Sequence, residues 1–188
     1  IDGGTAQSFS CWKSYITEKN KIDLLVVTHI DNDHVNGIIK LLQHNDCPDI
    51  GQFYFNGVEQ LFGKFRDVED QDRISNIKLK ALSEEYSKAS NRNQIGYSDG
   101  NFFSYLITSK NNSGNAIVDG GALYREKCQH FNIGTMKFSI IGPEKSALQD
   151  LKDCWEDKLS ERRIKPRIIS KAYSESFEQY AKSIQEIF

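Results

Sequence analysis

Two imidazoles and two carboxylates crowd into the segment Thr28-His29-Ile30-Asp31-Asn32-Asp33-His34. His29, Asp31, Asp33 and His34 are four potential metal ligands within six consecutive positions, and they include two of the chain's four histidines. Side chains at alternate positions of an extended loop point the same way, so His29, Asp31 and Asp33 can converge. His34 joins them if the chain turns into a helix just beyond. A mixed imidazole and carboxylate set suits zinc, iron or manganese, whereas oxygen ligands alone would suit magnesium or calcium. The competing reading makes Asp31 or Asp33 the cap of a helix beginning near Val35. Four such residues directly after an apolar strand favour a metal loop over a cap.

The elements that must hold this loop are legible around it. Ile22-Asp23-Leu24-Leu25-Val26-Val27 is short, apolar and β-branched, the pattern of a strand in a sheet covered on both faces. Val35, Ile38, Ile39, Leu41 and Leu42 recur at helical spacing, and the helix ends near His44 with Asn45-Asp46-Cys47-Pro48 as its stop. Gln52-Phe53-Tyr54-Phe55 is the next strand. The order β-loop-α-β sets the His/Asp loop at the carboxyl end of a strand, where open α/β sheets place their sites. Upstream, Ile1-Asp2-Gly3-Gly4 reads as a buried strand entering a tight turn. Ser8 then caps a helix with Phe9, Trp12, Tyr15 and Ile16 on one face.

Further along, Ile74, Ile77, Ala81, Leu82 and Tyr86 give a helical pattern, and Gly100 to Leu106 a short element. Asn111-Asn112-Ser113-Gly114-Asn115 reads as a hairpin-like turn between Tyr105-Leu106-Ile107 and Ala116-Ile117-Val118. Phe138-Ser139-Ile140-Ile141 is a strand. Pro143 opens a helix carrying Leu148, Leu151 and Trp155, and Phe177, Tyr180, Ala181 and Ile184 mark a last one.

The bulk numbers exclude several classes. At 188 residues the chain fits one domain, and 38% hydrophobic with 27% charged residues is an ordinary globular composition. A net charge of -2 provides no global basic field to attract nucleic acid. Metal ions can neutralise a phosphate locally, so phosphodiester substrates stay open. No stretch approaches the roughly 20 apolar residues of a membrane span, and no membrane partner is expected. Cys11, Cys47, Cys128 and Cys154 are scattered without a C-x-x-C, which argues against a disulfide framework and fits a cytoplasmic location. Nothing reads as a signal or transit segment. The chain opens on what looks like the last residue of a core strand, so preceding sequence is expected.

The order of these pieces resembles the metallo-β-lactamase superfamily. An apolar-Asp-Gly-Gly turn, a helix, an apolar strand and His29-Ile30-Asp31-Asn32-Asp33-His34 match that family's H-x-H-x-D-H arrangement, with Asp31 where most members have histidine. Val35-Asn36-Gly37-Ile38-Ile39 looks like the start of the family's next helix, and Phe138 to Pro143 like its apolar strand ending in Gly-Pro. The H-I-D-N-D-H reading is similar to variants among competence-related and phage-defence-associated hydrolases. The strong likeness covers about the first 45 residues.

The resemblance implies an α/β fold of the αββα sandwich type, of which residues 1–188 would supply the N-terminal part, with sequence expected on both sides. It implies two divalent metal ions. His29 and Asp31 would belong to the first site, and Asp33 and His34 to the second. Asp33 would also position the attacking water. Asp2 would lie beneath the loop and accept hydrogen bonds that orient the ligands. Zinc is the first expectation. The carboxylate of Asp31 brings manganese or iron into range.

The family also uses a third histidine, a bridging aspartate and a final histidine. No histidine follows Phe138, so these are expected beyond Phe188. His44 reads as a helix-end cap, His130 as a weak alternative ligand, and Asp119-Gly120-Gly121 as a turn. The implied reaction is hydrolysis of a phosphodiester in a nucleic acid or nucleotide. The alternatives are hydrolysis of esters, lactones or thioesters, and a degenerate fold kept as a binding or sensor module. Arg162, Arg163, Lys165 and Arg167 offer either a patch for an anionic ligand or a solvated helix end.

Overall fold

The computed structural model describes residues 1–63, 66–67, 97–109, 114–161 and 168–169. Its first half is built on one parallel strand pair. Helix α1 (Phe9–Thr17) leads into β1 (Lys21–Val26), then α2 (Asn32–Gln43) and β2 (Asp49–Tyr54). β1 and β2 run parallel, with Leu25 opposite Phe53 and Val26 opposite Tyr54. Parallel neighbours need a long crossover, and α2 is that crossover.

The apolar run through β1 divides by parity. Leu25 and Val27 join a core with Val35, Ile38, Ile39, Leu41 and Leu42 of α2, together with Phe9, Phe53, Phe55, Phe103 and Trp155. Leu24 and Val26 face a second core of Tyr54, Val118, Leu123 and Phe131. The pair is therefore covered on both faces, as a continuous apolar run requires.

After β2 come α3 (Val58–Phe62), the two-residue β3 (Arg66–Asp67), α4 (Tyr97–Ser109) and a 3-10 turn (Ala116–Val118). β4 (His130–Ile133) and β5 (Met136–Ser139) form an antiparallel hairpin; α5 (Lys145–Glu161) and the short β6 (Ile168–Ile169) complete the order. β3 pairs in parallel with β6. The architecture is mixed α/β, with small two-stranded sheets among the described residues. Trp155 of α5 is fully buried; its indole N–H donates to Asn101 Oδ1 of α4 at 3.1 Å and its ring meets Phe62 of α3 edge-on. One side chain thereby joins three helices.

Several expectations are corrected. Ile1 is 80% exposed, and residues 1–4 lie in no strand. The Asp2 N–H continues the β1 edge by one bond to the Val26 carbonyl, and then φ of +54° at Asp2 ends extended pairing. Tyr15 is 72% exposed because it falls off the stripe formed by Phe9, Trp12 and Ile16. The segments around 105–107 and 116–118 are not hairpin strands. Phe103 and Ile107, both buried, recur at the i, i+4 spacing of α4. Beyond it Asn115 adopts a left-handed conformation that starts the 3-10 turn.

The strand placed at Phe138–Ile141 lies earlier, at Met136–Ser139, and Ile141 is exposed. Pro143 precedes its helix instead of opening it. Its carbonyl accepts the Arg125 N–H at 2.9 Å, and α5 starts at Lys145, whose N–H donates to Glu126 Oε2. The helical patterns at Ile74 to Tyr86 and at Phe177 to Ile184, and the basic group Arg162, Arg163, Lys165 and Arg167, lie outside the described residues. Cys11, Cys47, Cys128 and Cys154, all among the described residues, form no disulfide. Among the described residues no helix is long and apolar enough to cross a membrane.

Candidate metal centre

The floor of the candidate site is the Asp2-Gly3-Gly4 turn. It is tied to three elements by its backbone. Asp2 N–H donates to Val26 of β1 at 2.8 Å, Gly3 N–H to the His34 carbonyl at 2.9 Å, and Gly37 N–H to the Gly4 carbonyl at 2.9 Å. The Gly3 carbonyl accepts the Trp12 indole N–H at 2.9 Å from α1. Two glycines permit this approach. A Cβ on Gly37 would collide with the Gly3 carbonyl, and one on Gly3 would lie 2.5 Å from the Ile38 nitrogen. The spacing Gly3 to Gly37 thus lets the turn lie against α2.

Above this floor the loop is anchored at two points. Val27 and Ile30 are buried, anchoring the chain, while Thr28 and His29 face outward. Asp31 stands at the N-cap of α2, and its carbonyl oxygen accepts the N–H groups of His34 and Val35. Its side chain makes no capping hydrogen bond. The capping reading therefore fails for the carboxylate, which turns instead toward His29, with Oδ2 3.4 Å from Nε2. Asp33 lies in the first turn of α2 with Oδ2 3.8 Å from His34 Nε2. The two imidazoles are in contact, with centroids 3.7 Å apart and planes tilted by 45°.

Asp2 lies beneath both histidines. Its Oδ1 accepts the Thr28 N–H at 2.8 Å, and its Oδ2 lies 2.8 Å from Thr28 Oγ1 and 3.0 Å from His34 Nδ1. Thr28 Oγ1 is in turn 2.9 Å from His29 Nδ1. Burial pushes the Asp2 carboxyl up, but hydrogen bonds from the Thr28 N–H, the His34 ring and the Thr28 hydroxyl, with the charge of His34, outweigh it and hold it below the usual carboxylate value. Side-chain exposure separates support from candidate ligands: 20% for Asp2, against 31% for His34, 41% for Asp31, 45% for His29 and 60% for Asp33.

The five residues singled out from the sequence are thus brought together. Each histidine has Nδ1 directed into the support and Nε2 directed at a carboxylate. Donors 2.0–2.1 Å from a tetrahedral ion lie about 3.3 Å apart, so His29 Nε2 and Asp31 Oδ2 fit two ligands of one ion. The His34 and Asp33 pair is slightly more open. Among the described residues no group of three or more His, Cys, Asp or Glu is set to hold a metal ion. The loop brings its potential donors together as two pairs, His29 with Asp31 and His34 with Asp33.

Other candidates lie apart. His44 is the C-cap of α2; its backbone N–H donates to Leu41, and its ring accepts the Asp46 N–H and packs against Phe9. His130 Nδ1 lies 3.0 Å from Ser139 Oγ across the β4–β5 hairpin. Asp119-Gly120-Gly121 forms a turn, with Asp119 at φ +55°, close to the +54° of Asp2. Sequence reasoning missed Thr28, whose position immediately before His29 was the only signal. No protein-family model, curated protein or solved structure matches the chain.

Proposed function

We propose that this chain carries the first half of a binuclear metal centre in a hydrolase of the metallo-β-lactamase type, acting on phosphodiesters of a nucleic acid or nucleotide. In this reading the segment from β1 through the loop and α2 to β2 is the N-terminal part of an αββα sandwich. The observation that carries it is the pair of imidazoles held by Asp2 and Thr28 with each Nε2 facing a carboxylate. Metal-ligating histidines are oriented by such partners on the other ring nitrogen.

His29 and Asp31 would hold the first ion, and Asp33 and His34 the second. Divalent ions here, zinc first with manganese or iron as alternatives, supply Lewis acidity and make a water acidic enough to attack near neutral pH. Asp33, the most exposed of the four, would orient the attacking water and accept its proton on a carboxylate oxygen. Asp2 holds His34 and Thr28 in place. The choice of phosphodiester rests on the likeness to H-I-D-N-D-H variants, an analogy of family. A chromogenic phosphodiester and a chromogenic acyl ester, offered to the metal-loaded full-length protein, separate this substrate from esters, lactones and thioesters. His34→Ala should abolish the turnover.

A second reading is favoured by the two-donor count at each position: a degenerate centre serving as a binding or sensor module. Stoichiometric metal without turnover on either substrate would select it.

A further inference from the structure

Protons around Asp2 can be counted, and the count fixes more than one ring. Asp2 Oδ1 accepts the Thr28 N–H at 2.8 Å, and an aspartate carboxylate at neutral pH only accepts hydrogen bonds. Thr28 Oγ1 at 2.8 Å from Asp2 Oδ2 must therefore point its single proton at Asp2. The hydroxyl then has only lone pairs left. His29 Nδ1, 2.9 Å from the same oxygen, has to bring its own proton to that contact. His34 Nδ1, 3.0 Å from Asp2 Oδ2, has to do the same.

We infer that Thr28 is a positioning residue: its hydroxyl relays the Asp2 carboxylate to His29, so that one carboxylate holds both histidines as Nδ1–H tautomers with Nε2 unprotonated. His34 is held directly and His29 through Thr28. The tautomer stands on hydrogen-bond geometry alone, while its consequence for metal binding rests on the hydrolase reading above. Nε2 is the nitrogen that faces Asp31 in His29 and Asp33 in His34. An isolated neutral histidine side chain prefers the opposite tautomer, with the proton on Nε2. The relay thus presents two lone pairs that the rings would otherwise cover.

The test is nitrogen-15 NMR of the histidine rings in the metal-free full-length protein at about pH 8.5, well above the ordinary imidazole pKa of about 6.5. Both rings should show the Nδ1–H pattern. In Thr28→Val, His29 should drift toward Nε2–H while His34 keeps its tautomer, and Thr28→Ser should restore His29. Zinc affinity should fall about 10- to 100-fold in Thr28→Val and recover in Thr28→Ser. A wild-type His29 protonated on Nε2, or a His29 indifferent to Thr28→Val, overturns the relay. Unchanged zinc affinity with a lost tautomer overturns the positioning role. If Thr28→Val does not fold, the wild-type and Thr28→Ser spectra still decide. The expected tautomers in a wild-type protein that binds no zinc would sink the hydrolase reading and leave the relay intact.

Discussion

Asp2 Oδ2 lies 3.0 Å from His34 Nδ1, joining residues 32 positions apart in the chain. The contact exists because Gly3 and Gly37 let the turn that carries Asp2 lie against the helix that carries His34. Support and candidate ligand are thus positioned by one close backbone approach.

That approach makes Gly37 a sensitive position. Helix propensity alone favours Gly37→Ala by roughly 1 kcal/mol. The new methyl group would meet the Gly3 carbonyl, and overpacking of this kind costs about 1–3 kcal/mol. Urea denaturation should show a net loss of stability, because backbone cannot swing aside as a side-chain end can. A more stable Gly37→Ala protein would mean that the turn does not lie where it is described.

Asp2 should impose a pH dependence of known sign. Its carboxyl releases a proton more readily in the folded chain than in the unfolded one. The stability it contributes is complete above the ordinary carboxylate pKa and is lost as pH falls through the lowered folded value. Denaturation midpoints measured from pH 7 down to pH 3 should fall less steeply in Asp2→Asn than in wild type. Parallel curves for the two proteins would remove Asp2 from the account.

Asn115 is fully buried at the edge of the strand pair. Its Oδ1 accepts the Phe55 N–H at 2.8 Å, and its Nδ2 donates to the Gly121 carbonyl at 2.9 Å. Asn115→Ala leaves the buried Phe55 N–H and the half-buried Gly121 carbonyl without these partners and should cost about 1–3 kcal/mol, the penalty of one orphaned buried group. A loss below about 1 kcal/mol in a chemical melt would show that water or another group takes over.

Much of the segment from β1 to β2 was readable because its signals are local. The run Leu24-Leu25-Val26-Val27 reports a strand covered on both faces, and Val35 to Leu42 report a helix by spacing alone. The His/Asp loop falls between them by necessity. Residues 105–118 were misread because Tyr105-Leu106-Ile107 is as apolar as a strand, and the helical register becomes clear only when Phe103 meets the core. Ile1 was expected in a core that it does not reach. The role of Asp2 came from a resemblance, and the only sign of Thr28 was its place beside His29. Both depend on a contact between turn and loop that no sequence window contains.

Metal content tests the central claim most directly. Reconstituted with zinc, manganese or iron, desalted and assayed by elemental analysis, the folded full-length protein should retain about two ions, as two-metal hydrolase centres do. His34→Ala should retain about one and lose turnover. A folded wild-type protein that retains no metal under any of these conditions would contradict the account.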